Sequence, residues 1–371
     1  MTQEKLCQVA LSLTPGVGSV LIRNLVSYCG SAAEVMASGQ HKLNKIPGIG
    51  QQISQNILAK STLLEAEKEL ALAQKLGVEI LFYTEENYPD RLKRIYDAPA
   101  LLYWQGQASL NTPKTVSIVG TRQATDYGKT MTNDIVDQLQ KYNVLLISGL
   151  AYGIDIAAHK ACLKYQVPTV GVMASGIDII YPAAHQKTAE AMKEMGGILT
   201  ENRLGQAPDA PRFPARNRII AGLADVVIVV ETANKGGTLI TAEYANNYHK
   251  EVFAVPGQLG TKFSEGCNAL IKKNKASIFT SVQDIVEALN WDQPSGSKSG
   301  KKTEVVFDYS QFTEQESQVI ALLRQHKDMH IDEIAWQCQI QMNTLASLLL
   351  NLEFQGVVKS IPGKRYAVVY V

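Results

Sequence analysis

The sequence predicts an α/β fold, a parallel sheet covered by helices on both faces, with a helical segment before it and a small helical domain after it. Three observations carry this. Six short apolar runs, TVSIVG, NVLLISG, TVGVMAS, GILTEN, DVVIVVE and EVFAVPG, follow one another between residues 115 and 257. Helical patterns such as GIDIAAHKACLKY and TLITAEYANNYHK lie between them. The runs are continuously apolar rather than alternating, which is how strands buried on both faces read.

The chain of 371 residues is long enough for two or three domains. Its formal charge of +1 excludes a uniformly basic coat for nucleic acid, so any anion site must be local. Cys7, Cys29, Cys162, Cys267 and Cys338 form no C-x-x-C pair, which fits reduced thiols and gives no metal signature. The start, MTQEKLCQVALSLTPGVG, lacks a basic segment followed by an apolar one, so no signal peptide is expected. The longest apolar runs have strand length and cannot span a membrane. A cytoplasmic protein is expected.

Residues 1–75 read as helical and contain an internal repeat, TPGVGSVLIRNLV from Thr14 and IPGIGQQISQNIL from Ile46. Each is a Pro-Gly-apolar-Gly turn leading into an amphipathic helix, the shape of tandem helix-hairpin-helix (SAM-like) units. Such turns either present backbone N–H groups to phosphates or simply turn tightly within a helical bundle. The sheet domain is placed at 80–290, with NYPDRLKRIYDAPALLYWQG as an extension leading into it. Residues 291–310 are polar and rich in Ser, Gly and Lys, the composition of a flexible linker. From 311 to 371 the order helix, helix, helix, hairpin is that of a winged helix. Its third helix, QMNTLASLLLNLEF, has no Lys or Arg with which to read a major groove. Basic residues occur only about the wing (Lys359, Lys364, Arg365), so protein contact or autoregulation is expected of this domain.

Ligands of open parallel sheets bind beyond the carboxyl ends of the strands. Gly120-Thr121-Arg122 and Gly149 stand at two such ends, and small residues there suit close approach of a ligand. Two further segments belong to the same rim. PRFPARNRIIAG, 211–222, read as a loop, sets Arg212, Arg216 and Arg218 about Phe213 and Asn217. Arginine grips phosphate bidentately, and an aromatic among arginines can stack on an unpaired base. The second segment, Lys235-Gly236-Gly237-Thr238, precedes a helix, where anions bind. Catalytic alternatives are weaker. His159 lies among alanines on a helix and is expected to pack. His185 and His249 lack a second ligand at zinc spacing, and Ser148-Gly149 lacks the G-x-S-x-G elbow. Asp155 is expected to cap the helix that follows Gly153.

Taken in order, VSIVGTRQATDYG, ISGLAYGIDIAAH, GIDIIYPAAH, FPARNRIIAGLADVVIVVE, KGGTLITAEYA, EVFAVPG and GCNALI resemble the DprA/Smf family of bacterial DNA-processing proteins. The resemblance extends over the whole chain. It implies an extended Rossmann-like fold between helical and winged-helix domains, binding of single-stranded DNA, and dimerisation through the Rossmann domain. It further implies loading of the RecA recombinase in natural transformation, with single-strand-binding protein as a possible further partner. Neither enzymatic activity nor a cofactor or metal is implied. Carried over, the family's binding residues fall on Gly120, Thr121, Arg122, Phe213, Arg216 and Asn217. Some members carry a lysine after the Tyr-Pro of the third crossover. Here that position is Ala183, and Lys187, four residues on, is the candidate to take its place. Thr238 keeps the hydroxyl of the family's Gly-Ser-Leu loop. An alternative is a nucleotide phosphoribohydrolase-like enzyme with Glu243 behind the KGGT loop, though the intervening glycine of that family's loop is missing.

Overall fold

The computed structural model describes residues 2–291, 312–325, 328–361 and 364–368. The expected linker, 291–310, lies outside them apart from Trp291. The chain divides into two compact units, Met1–Pro294 and Ser295–Val371.

The first unit is built on a nine-stranded sheet. Its strands are β1 (Glu79–Phe82), β2 (Leu101–Gly106), β3 (Thr115–Val119), β4 (Leu145–Ser148), β5 (Thr169–Val172), β6 (Gly197–Thr200), β7 (Val226–Val229), β8 (Glu251–Ala254) and β9 (Ser277–Ile278). Their order across the sheet is β1-β2-β6-β5-β4-β3-β7-β8-β9. All six expected strands are present, and from β6 to β9 every pairing is parallel. The expected extension supplies β2, which runs antiparallel to β6, and β1 pairs antiparallel outside it.

Two cores use the two faces of the strands in strict alternation. Leu145, Ile147, Val227 and Val229 face helices Arg212–Leu223, Gly237–Asn247 and Glu265–Lys272. Val116, Ile118, Leu146, Val226 and Ile228 face helices Asp126–Leu139, Ile154–Tyr165 and Val282–Ala288. Burial on both faces is why these strands carry no polar alternation.

Six helices lie between Gln3 and Lys75. In the internal repeat, helices Ser19–Cys29 and Gln51–Leu58 are each capped by a glycine, Gly18 and Gly50, with the same backbone angles of φ −87° and ψ 173°. The repeat is also reciprocal in space: Gly16 of one turn sits against Ile53 and Gly48 of the other against Leu21. A third core joins these helices to the sheet. Leu11, Leu25, Ile57 and Ala66 belong to one cluster with Phe82, Tyr103, Met173 and Ile198.

The second unit has helices Glu314–Gln325, Ile331–Cys338 and Met342–Phe354. A three-stranded sheet completes it: β10 (Met329–His330), β11 (Val358–Ile361) and β12 (Arg365–Val368), in the order β10-β12-β11. This is a winged helix with its own core of Val319, Ile334, Leu345, Leu349 and Val358. The expected Pro362-Gly363 turn lies outside the described residues.

Candidate nucleic-acid interface

From β3 the chain winds outward through β4 to β6, then returns to lay β7 on the other side of β3. The connections leaving β3 and β7 therefore run to opposite faces of the sheet, and a crevice opens beyond the carboxyl ends of the two strands. It is a groove of about 800 Å³, lined among others by Gly120–Gln123, Phe213, Asn217, Lys235–Thr238, Lys262 and Phe263.

The rim is held firmly. Thr121 donates its N–H to the carbonyl of Glu231, 2.7 Å away. The buried carboxylate of Glu231 accepts from the Thr125 N–H at 2.9 Å and from the Thr125 hydroxyl. The loop after β3 is thus tied to the end of β7 from both sides, and Arg122 projects from a fixed base. Arg122 is exposed, and its guanidinium stands 5.1 Å from the centre of the Phe213 ring, a cation–aromatic contact. Phe213 in turn lies 5.8 Å from the exposed ring of Tyr181.

Across the groove, Gly236 caps helix Gly237–Asn247 without any side-chain cap bond. The first N–H groups of that helix therefore keep hydrogen-bonding capacity for an anion. Gly236 and Gly237 have no atom closer than 3.5 Å to where a Cβ would stand, so a ligand can reach the backbone. Lys235 and Lys262 are exposed beside it. Among the described residues, none of Arg122, Lys235 and Lys262 forms an ion pair.

The remaining expected site residues are placed differently. The segment 211–222 is not a loop but the helix Arg212–Leu223. Pro211 and Pro214 do not break it, because a proline in the first helical turn lacks only an N–H that has no partner there. Helical geometry spreads the three arginines. Arg216 is 5% exposed and donates to the carbonyls of Gly149 and Val172 and, at 3.2 Å, to Asn217. Burial pulls its pKa down to about 10, against the attraction of Asp155. Arg218 pairs with Glu201 and donates to the Asp97 carbonyl at 2.8 Å. Arg212 donates to the Ala207 carbonyl at 2.6 Å. Only Arg216 of the three lines the groove, as part of its floor.

Gly120 and Gly149 also serve the interior. A Cβ at Gly120 would stand 2.4 Å from Ile154, and one at Gly149 2.5 Å from Asp155 and 2.7 Å from Arg216. The glycines let a helix and an ion-bearing layer close on the sheet. Lys187 is exposed at the start of helix Gln186–Met192 and does not line the groove. The expectation for Asp155 is corrected. The cap is Gly153, with no side-chain bond. Asp155 instead faces Arg216 from across Gly149, with burial raising its pKa against the pull of that guanidinium. His159 packs as expected, Nδ1 2.8 Å from the Thr169 hydroxyl. Sequence reasoning missed Tyr181, Lys262 and Phe263. Lys262-Phe263 follows the Val-Pro-Gly end of β8, a rim position whose next few residues hold the missing pair.

The profile described as DNA recombination-mediator protein A matches residues 79–290, and that of the DprA winged helix domain matches 309–364. Protein Smf of Synechocystis is 30% identical over 387 aligned positions, covering 96% of this chain and 97% of its own. DNA processing protein DprA of Bacillus subtilis is 38% identical, over 59% of this chain and 74% of its own. Among solved structures, Streptococcus pneumoniae DprA superposes with a TM-score of 0.63 at 29% identity, over 77% of this chain and 98% of that one. The Helicobacter pylori protein, described for its single-stranded DNA binding mode, gives a TM-score of 0.52 at 32% identity, over 57% and 95%. With a family profile over more than half its length, and a relative matched nearly end to end, the chain belongs to the DprA/Smf family of DNA-processing proteins.

Proposed function

We propose that this protein binds single-stranded DNA in the groove between β3 and β7, and that it delivers the strand to RecA. The observation that carries the reading is Arg122, exposed, unpaired with any described carboxylate, and set over the Phe213 ring. A dinucleotide needs a close glycine cradle for its pyrophosphate. A polynucleotide needs separated cations along its track with stacking surfaces between them. Arg122 and Lys235 supply the charge, Phe213 and Tyr181 the surfaces, and the open start of helix Gly237–Asn247 a further phosphate seat. The described binding mode of the Helicobacter pylori relative supports the choice of ligand. The family resemblance supports the further parts of the reading: protection of incoming strands in transformation, RecA loading, a homodimer through the Rossmann domain, and work in the cytoplasm without catalysis. Among the described residues no helix is long and apolar enough to cross a membrane. Against the phosphoribohydrolase alternative, Glu243 is exposed on the helix and does not line the groove.

Fluorescence anisotropy of labelled oligo-dT across a salt series tests the ligand and the site. Wild type is expected to prefer single strand over an equal duplex and to weaken as salt rises. Arg122→Ala is expected to lose about ten- to hundredfold in affinity, the worth of a charge-assisted contact. Its salt dependence is expected to flatten by about 0.7 in log–log slope, one phosphate fewer. Equal binding by the two proteins would remove the groove from consideration.

A further inference from the structure

The wall of the groove opposite Arg122 carries a second pairing of cation and ring. Lys262 lies with its ammonium 5.2 Å from the centre of the Phe263 ring, and both residues line the groove. They also line a neighbouring cleft of about 700 Å³, whose other walls include Thr125, Tyr127, Glu231, Pro256, Gln258 and Thr261. Lys262 and Phe263 thus form the ridge between two concavities on one rim. Tyr127, on the far side, is 48% exposed and presents a ring to that cleft.

The ridge is built, not loose. The Phe263 carbonyl accepts the N–H of Thr232 at 2.8 Å, which ties it to the end of β7. Thr261 donates its hydroxyl to Gln258 and hydrogen-bonds Ser264, each at 2.7 Å. Asn268 accepts from Gly257 N–H at 3.2 Å and donates to Gly257 carbonyl at 2.9 Å. A held loop presents its cation and ring at little ordering cost. Glu231, the carboxylate of the cleft, hydrogen-bonds Thr125 and, among the described residues, forms no ion pair with Lys262.

We propose that Lys262 and Phe263 form a second nucleotide station, over which single-stranded DNA leaves the groove and enters the cleft beside Tyr127. The inference rests on the single-strand reading above and extends its track beyond Arg122 and Phe213. Lys262 contacts a phosphate at the crossing, and the rings of Phe263 and Tyr127 receive bases on either side of it.

Two lengths of oligo-dT separate the stations, about six and about sixteen nucleotides, spanning the range of known single-strand site sizes. Lys262→Ala is expected to weaken the long probe about tenfold, flatten its salt slope by about 0.7, and weaken the short probe by less. Phe263→Leu, which keeps apolar bulk without the ring, is expected to weaken the long probe by about fivefold or more. A thermal melt equal to wild type accompanies both. If both variants bind the long probe as wild type does while Arg122→Ala fails, the strand ends within the groove and the second station is wrong. If Arg122→Ala binds both probes normally, the single-strand reading falls and the station falls with it.

Discussion

Arg216 shows how far a residue's surroundings decide its work. In sequence it stands with Arg122 as a phosphate ligand. In space its guanidinium is buried and holds the carbonyls of Gly149 and Val172, at the ends of two neighbouring strands. It locks the rim on which Arg122 acts. Replacing it leaves those carbonyls and the buried Asp155 without their donor and cation. Arg216→Leu is therefore expected to cost about 3–5 kcal/mol, read as a fall in the urea midpoint at unchanged slope. Arg122→Ala, at an exposed position, should leave that midpoint within about 0.5 kcal/mol of wild type. Sequence alone could not separate the two arginines, because burial depends on which strands the helix Arg212–Leu223 crosses.

At the scale of elements, the strands were legible and several connections were not. A strand buried on both faces writes its environment into consecutive residues, as Val226–Val229 does. The antiparallel pair β1 and β2 was missed because its pairing with β6 is set by partners far away in sequence. The Lys262-Phe263 ridge has no periodic signature for the same reason: one hydrogen bond to Thr232 puts it beside the groove. In the winged helix, Met342–Phe354 presents Leu350 and Phe354, 52% and 83% exposed, where a DNA reader would carry cations. Protein contact is the role proposed for that surface. A chain ended after residue 294 is accordingly expected to bind oligo-dT within about twofold of the full chain, a difference of less than 0.5 kcal/mol. A loss of tenfold would assign DNA contact to the winged helix.

For the whole molecule, the proposed dimer through the Rossmann domain would double the binding grooves on one particle. Two grooves on one strand raise avidity without any new contact. Light scattering at micromolar concentration is expected to give twice the chain mass of 40.6 kDa. A monomer at that concentration would count against a stable dimer. The overall architecture followed from the sequence because each layer has its own periodicity. The groove followed only in part: Arg122, Phe213 and the Lys235–Thr238 turn were visible, while its far wall required the fold.

The core shared by the N-terminal helices and the sheet has a practical consequence for inheritance and engineering. Leu11, Leu25 and Ile57 are as buried as Tyr103 and Met173 and lie in one cluster with them. A protein cut before β1 would bare that face to water and gather with its own copies, as exposed apolar patches do. In this chain the binding groove is therefore expected to travel best as a fragment that begins near the first helix and not at the sheet.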